Sequence, residues 1–560
     1  MESQPNNQVE KPTRLNMQNV DSPLSRQTIV EVLLLVCLCF IYAGDAPPMI
    51  NEAHYLVKAK NFWQPEWCAN DLFASSGKAH AVFYALFGWP TLFFSLETTA
   101  WMGRIVGWLL IAVGVQRLTR QLLDVRYACL AVAILWIAGV EYGNLAGEWV
   151  IGGIEAKVPA YGFVLLAMAE MVDRRWNRVW VLLGTASAIH VLSGGWSVIA
   201  ASIAWWITER KRSSRHPFFT RYLFLGGAIA LFGVVPAVWL TIGNPPDQST
   251  MAAKIYTFFR LSHHLVPSAF APIWYFRFGV LTFAAVGLSL AIDRQFGFAA
   301  ISSEEQAKWD RLQAFAMGAF AIAVIGLLLG WMTIVDRDLE ARLLRYYWFR
   351  LSDAVIPLLL SLLVVRGIFS RNAQKPMRRV CFAMMTLAIG LFLLSSQRSI
   401  HLPVPPAASN RVLQWDADAP AEVQQDVWRD WIAVCRWVRS STRSDAVLLT
   451  PRHQQTFKWY AERAEVVNWK DVPQNTMDLL EWYRRFRDVF PQRLGTVRVT
   501  IRYSSLIAYR ERYGVDMIVV DRRVVGNHLP LVQLYPLGDD SNDTYAVYEL
   551  PHGQPKQGQP

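Results

Sequence analysis

Charge is scarce in this chain. Only 18% of its 560 residues are Asp, Glu, Lys or Arg, against roughly a quarter in soluble domains. The shortage is uneven: apolar runs of about 15 to 24 residues alternate with basic clusters, the pattern of a chain that crosses a bilayer many times. The formal charge of +11 sits beside those runs rather than in a basic stripe interleaved with aromatics. That assigns it to membrane orientation and excludes a nucleic-acid surface. Cysteine is also sparse, six residues with no metal-ligand spacing. Cys37, Cys39, Cys129 and Cys381 fall inside apolar runs, where the thiol behaves as a small hydrophobe. Cys68 and Cys435 fall in segments read as outside, which leaves one disulfide pairing open. The C-terminal part has no Gly-rich phosphate loop, nucleophile elbow or metal motif.

Taken in order, residues 1–27 are polar and carry Lys11, Arg14 and Arg26, which makes them a disordered tail on the cytoplasmic side. The run Ile29 to Ala43 follows. Asp45-Ala46-Pro47-Pro48 is a poor cleavage context, so the run reads as a retained signal anchor. An outer loop occupies 45–79. Residues 80–95, interrupted by Gly88 and Pro90, read as re-entrant or interfacial, because a full crossing would put Arg117, Arg120 and Arg126 outside. Spans are expected near 99–115, 127–141 and 160–172, then as a hairpin within 179–208 that turns at His190-Val191-Leu192-Ser193-Gly194-Gly195-Trp196. Others follow near 221–242, 275–292, 312–335, 351–366 and 380–397. The fold class is therefore a polytopic α-helical membrane protein of about eleven spans over 28–397, followed by a soluble α/β domain over 398–560 on the outer side. In that domain Val427, Trp431, Val434, Cys435 and Val438 have helical spacing. Runs at 446–449, 464–467, 515–520, 531–534 and 545–550 read as strands, and 475–488 and 500–513 as helices.

The stretch Asp45 to Tyr55 opens a helix that runs to about Trp63. Asn51 is a good N-cap, and Glu52 suits the first-turn dipole. On that helix Tyr55, Leu56, Ala59, Phe62 and Trp63 form one apolar stripe. Glu52 points into the stripe, while His54, Lys58 and Asn61 fall opposite. A carboxylate on an apolar face needs a partner or a function. The second outer loop, Gly147 to Lys157, is Gly-rich and carries Glu148 and Glu155. Asp71 fits a helix cap or a loop turn, and His190 a packed histidine.

Asn51-Glu52-Ala53-His54-Tyr55, just after a first span, resembles the Asp-Glu-x-His-Phe signature of protein O-mannosyltransferases. It is also similar to the Asp-Glu-x-x-Tyr motif of aminoarabinose-type lipid A transferases. Both belong to the GT-C superfamily of membrane glycosyltransferases. His80 to Tyr84 followed by Trp101-Met102-Gly103-Arg104, and Arg345-Tyr346 before the helix with Pro357, resemble further stretches of that family. The resemblance implies a glycosyltransferase in the cytoplasmic membrane. It would move a sugar from a polyprenyl-phosphate carrier to an extracytoplasmic protein, lipid or glycan, among membrane lipids.

Such a transfer needs a base for the acceptor proton and positive charge for the departing phosphate. The family's catalytic Asp corresponds here to Asn51, whose amide is no base, so the base falls to Glu52, with Asp45 second. His54 is placed at the substrate edge. Lys157, Arg260, His263, His264, Arg345 and Arg350 are the candidates for the lipid phosphate, with Arg345 first because the resemblance points to it. Oligosaccharyltransferase-like members hold a divalent metal with acids of the first two outer loops. That implies Mg²⁺ or Mn²⁺ on Glu52, Glu148 and Glu155, whereas the mannosyltransferase-like match implies no metal. Two other readings stay open. A transporter is disfavoured by charges clustered in outer loops and by the lack of an inverted repeat. A non-catalytic envelope assembly or binding protein is favoured by Asn51.

Overall fold

The structure is a computed structural model that describes residues 25–210, 215–300, 303–332, 335–370, 373–408, 419–490, 502–538 and 540–552. The expected tail over 1–24 and part of the basic loop, 211–214, lie outside the described residues. Among those described, eight helices are long and apolar enough to cross a membrane: Arg26–Ala43, Leu96–Leu122, Val191–Glu209, Arg221–Trp239, Pro272–Arg294, Glu304–Leu329, Arg350–Phe369 and Lys375–Ser399. Three shorter helices, Ala128–Gly143, Lys157–Val172 and Trp176–Ile189, pack among them. Each expected span thus falls on a helix, and the chain is a multi-pass membrane protein. The segment with Gly88 and Pro90 forms an eight-residue helix, Ala81–Gly88, and a 3₁₀ turn, Trp89–Leu92. At 1.5 Å per residue it is far too short for a hydrocarbon core of ~30 Å, which agrees with an interfacial segment.

Helix 350–369 is the axis of the bundle, buried from Leu351 to Ile368. Helices 128–143, 272–300, 303–329 and 375–400 pack around it. Its first turn carries Asp353, whose two oxygens accept the backbone N–H groups of Leu145 and Ala146 at 2.9 Å each. A buried carboxylate so bonded fixes the start of the second outer loop against the central helix.

The hairpin within 179–208 differs from its expected form. Helices 176–189 and 191–209 are separated by His190 alone, which sits in extended geometry with its Nδ1 accepting the Ser193 N–H at 3.1 Å. Gly194 serves close approach rather than a turn, since a Cβ there would lie 2.2 Å from the Ser187 backbone nitrogen. The same device joins helices 176–189 and 221–239, where a Cβ on Gly226 would lie 2.2 Å from the Trp180 carbonyl oxygen. Small residues let backbones meet where lipid offers no hydrophobic drive to associate.

The soluble domain contains a five-stranded sheet of β1 (Val447–Leu449), β2 (Ala464–Glu465), β3 (Met517–Asp521), β4 (Gln533–Tyr535) and β5 (Tyr545–Glu549) in the order β2-β1-β3-β5-β4. β1 runs parallel to β2 and β3, while β5 is antiparallel to β3 and β4. Alternation along the strands sends Leu448, Val519 and Val547 to the helix Ala421–Ser441, which meets them with Val427, Trp431, Val434, Cys435 and Val438. Val447, Leu449, Ile518 and Val520 face Leu479, Trp482 and Phe486 of the helix Thr476–Val489. All six cysteines are free. Cys68 is buried with Val57, Phe73 and Ala74 and Cys435 in the soluble core, so the Cys68–Cys435 disulfide does not form.

The glycine contact gives a sharp comparison. Gly226→Val forces two backbones apart and is expected to cost about 1–3 kcal/mol, read as a lower melting temperature in detergent. Gly227→Val, with nothing within 4 Å of its added Cβ, leaves the melting temperature unchanged.

Candidate active site

Glu52 is buried and fully engaged. Arg104 Nε and Nη2 donate to its two oxygens at 2.7 and 2.5 Å. The N–H groups of Met49 and Ile154 add bonds of 2.8 Å each. Both side chains of the pair are 0% exposed. Gly153 lies directly over the carboxylate, where a Cβ would come within 2.7 Å of Glu52 Cδ. Arg104 also donates to the carbonyl of Asp45 and lies over the Trp101 ring at 4.7 Å. Glu52 is buried beside Leu56 and Ala59, and its role is structural: residues 45–52 and the loop around Ile154 are clamped together through it.

Asn51 does not cap its helix. Its φ and ψ of −96° and −17° are helical, and its amide instead donates to Glu155 Oε2 at 2.8 Å. Glu155 Oε1 lies 2.9 Å from Lys157 Nζ, and the same ammonium lies 2.6 Å from Glu148 Oε1. Glu148 Oε2 accepts from Arg350 Nε at 2.6 Å. Arg350 is the first residue of the central helix, and its Nη1 lies 3.1 Å from His190 Nε2.

All of these but His190 line a cavity of about 150 Å³ beside the soluble domain. Its other walls include His54, Tyr55, Trp149, Tyr347, Arg260, His264 and Lys470. Arg260 ends a π-helical turn, Ile255–Arg260, a distortion frequent at functional sites. Its Nε donates to the Trp469 carbonyl at 2.8 Å, and its guanidinium lies over the Trp469 ring. The cavity carries four cations (Lys157, Arg260, Arg350 and Lys470) against two carboxylates, Glu148 and Glu155. A cleft with surplus positive charge and low-dielectric walls concentrates anions.

On the face of helix 52–63 opposite the apolar stripe, Lys58 and Asn61 bond to the following loop, at Gly77 and at Pro65, Trp67 and Lys78, and His54 meets the soluble domain. His54 Nδ1 lies 3.2 Å from Asp471 Oδ1, and its ring packs against Phe73 at 4.2 Å. Asp471 pairs in turn with Lys458 at 2.7 Å, and Lys458 also reaches Glu465 at 2.5 Å and Asp71 at 3.3 Å. Asp71 caps the short helix Leu72–Ser75 as expected, and it also belongs to this junction. Burial pulls His54 down to about 4, against the hydrogen bond and charge of Asp471 that favour protonation.

Of the other expected site residues, Asp45 lies off the cavity with its side chain on Ser399, and burial raises its pKa. Arg345 also lies off the cavity, beside the Tyr256 ring at 5.9 Å. The arginine that reaches the cavity from this region is Arg350. His263 packs against His264 with tilted rings 4.1 Å apart and does not line the cavity. His264 lines it, but its Nδ1 donates to the Ala146 carbonyl, and burial pulls it down to about 3. It is therefore neutral near pH 7 and supplies no charge to a phosphate. Lys470, absent from the sequence-based candidates, stands in a loop of the soluble domain.

The carboxylates named for a divalent metal do not fit one. Glu52 is consumed by Arg104, and the Lys157 ammonium occupies the place between Glu148 and Glu155 that a cation would take. Among the described residues no group of three His, Cys, Asp or Glu side chains converges.

Residues 429–489 match a domain of unknown function, DUF6798. No curated protein matches the chain. Among solved structures the chain is similar to ArnT from Cupriavidus metallidurans bound to undecaprenyl phosphate, at 11% identity over 93% of this chain and 97% of that one, with a TM-score of 0.47. It is similar to the Archaeoglobus fulgidus oligosaccharyltransferase in complex with zinc and sulfate, at 12% identity over 88% of this chain and 68% of that one, TM-score 0.41. A third is archaeal oligosaccharyltransferase AglB from Archaeoglobus fulgidus with an inhibitory peptide and a dolichol-phosphate, at 11% identity over 89% and 69%, TM-score 0.40.

Two outcomes follow from the contacts. Arg104→Met leaves Glu52 a buried, unpaired carboxylate and is expected to cost about 3–5 kcal/mol, seen as a large drop in melting temperature. Adding Glu52→Gln recovers part of that loss. For His54, the folded pKa of about 4 lies below the ordinary 6.5, so the unfolded chain binds the extra proton between those values. The His54 contribution is complete above pH 6.5 and is lost as pH falls toward 4; melting curves against pH should be flatter over that window in His54→Asn.

Proposed function

We propose that this protein is a membrane glycosyltransferase that moves a sugar from a polyprenyl-phosphate carrier to an acceptor outside the cytoplasmic membrane. In this reading the N-terminus is cytoplasmic and the soluble domain extracytoplasmic. The carrying observation is the cavity itself, where two carboxylates and a surplus of cations share a small volume beside the outer ends of the apolar helices. Glycosyl transfer to a hydroxyl asks for that combination. A base takes the acceptor proton, the acceptor oxygen bonds to the anomeric carbon, and the bond from that carbon to the phosphate oxygen breaks. Positive charge then stabilises the phosphate that leaves on the lipid.

The carrier class follows from the motif resemblance around residues 51–55, and the base is assigned differently from it. Glu52 has no free role because Arg104 and two backbone N–H groups hold it. Glu155 is the better base. Among the described residues it pairs with Lys157 alone and takes the neutral Asn51 amide on its other oxygen, whereas Glu148 is engaged by both Lys157 and Arg350. Asn51 thus positions the base rather than being one. Lys157 and Arg350 add positive charge for the leaving phosphate.

Purified protein in nanodiscs, given polyprenyl-phosphate sugars, is expected to release the carrier phosphate. Glu155→Gln should lower kcat by ~10²–10⁴ while circular dichroism still shows a folded, helical protein. Full turnover by that variant removes Glu155 as base. A lack of release with every donor, beside substrate flux in sealed vesicles, replaces the transferase reading with a transporter.

A further inference from the structure

Among the described residues, Lys470 is the one cation of the cavity supplied by the soluble domain. It sits in Asn468-Trp469-Lys470-Asp471-Val472, a loop whose shape is fixed at several points. Asn468 Oδ1 accepts the N–H groups of Lys470 and Asp471 at 2.8 and 2.9 Å, and the Asn468 carbonyl accepts from Trp482 Nε1 at 2.9 Å. Asp471 is anchored by Lys458, His54 and the Asn468 amide. The neighbouring Trp469 carries the Arg260 guanidinium against its carbonyl and ring. The loop therefore brings Lys470 and Arg260 to the same wall of the cavity.

Neither cation has a carboxylate at ion-pair distance among the described residues, in contrast to Lys157 and Arg350. Arg260 is buried with 7% exposure and Lys470 is half-buried. Two partly desolvated positive groups on one cavity wall repel each other and raise the energy of the site without an anion. An anion that enters between them removes that cost, and ionised partners make the strongest hydrogen bonds.

We infer that Arg260 and Lys470 form a two-point clamp for the phosphate of a lipid-linked phosphate ester, so that docking of the soluble domain completes the binding site. The clamp rests on the transferase reading for the identity of its lipid, but not for its chemistry. Electrostatics agree with the geometry. Burial first, then the neighbouring Arg260 guanidinium, pull the Lys470 ammonium down to about 8, with Lys157 acting the same way and Glu155 and Asp471 opposing. The second ionisation of a phosphate monoester lies near pH 6, so between pH 7 and 9 the ligand keeps its charge while Lys470 loses its own.

The test is equilibrium binding of undecaprenyl phosphate to the full-length protein in nanodiscs, with no donor sugar and no turnover. Lys470→Ala is expected to weaken binding roughly tenfold or more, without lowering the melting temperature, because no protein acceptor depends on Nζ. Lys470→Arg should keep the affinity. Wild-type affinity should fall between pH 7 and 9, and Lys470→Arg should abolish that fall. Unchanged binding by Lys470→Ala, a pH-dependent fall that persists in Lys470→Arg, or no binding by the wild type overturns the clamp. Carrier binding through Lys470 without turnover of any donor supports the clamp and removes the transferase. Turnover that is indifferent to Lys470→Ala keeps the transferase and removes the clamp.

Discussion

The buried pair of Glu52 and Arg104 is the constraint on which the rest of the site depends. Two opposite charges with no exposure are tolerable only when each satisfies the other and the remaining lone pairs find donors. Here the remaining donors are backbone groups of two different outer loops. The pair therefore ties residues 45–52 to residues 152–154. With that tie in place, Asn51 faces Glu155, Glu155 shares Lys157 with Glu148, and Glu148 meets Arg350 at the start of the central helix. Each contact in this chain is short, and each depends on the one before it for its geometry.

A second junction, around Lys458, holds the soluble domain to the first outer loop. One ammonium faces Asp71, Glu465 and Asp471, all buried. The breakage of any one of these leaves a buried charge short of its partner. The neighbouring loop with Trp469 and Lys470 is in this way held as firmly as the helices of the bundle, although it belongs to a different part of the chain.

Much of the architecture was legible in the sequence because burial imposes a period. The apolar runs marked the helices, Val427 to Val438 marked one helix of the soluble domain, and the five short strands fell close to their expected places. The site was legible in its membership and less so in its roles. His54, Glu148, Glu155, Lys157, Arg260, His264 and Arg350 were named as candidates from the sequence, and all seven line one cavity. Glu52 was misread because its partner, Arg104, lies fifty-two positions away, and no local pattern reveals a bond across that separation. Arg345 was favoured by a dipeptide likeness, yet the chain turns after it through Tyr347 at φ +53°, and Arg350 reaches the cavity instead. His54 faces away from the apolar stripe as expected, but that face is covered by Asp471 rather than by solvent. Lys470 was missed because the soluble domain was read as a separate unit. Its signal was a lysine beside Asn468, Trp469 and Asp471, in the connection that follows a buried strand.

The cavity is assembled from residues 51, 148–157, 260, 350 and 470, which gives biosynthesis a fixed order. A ribosome finishes every membrane helix before it makes Lys470, so the newly inserted bundle waits with its charged vestibule open and one wall missing. A domain made after the bundle is the part that closes it. Maturation of the site is then tied to arrival of that domain, and a chain cut short before that point carries the scaffold and both carboxylates but an incomplete vestibule.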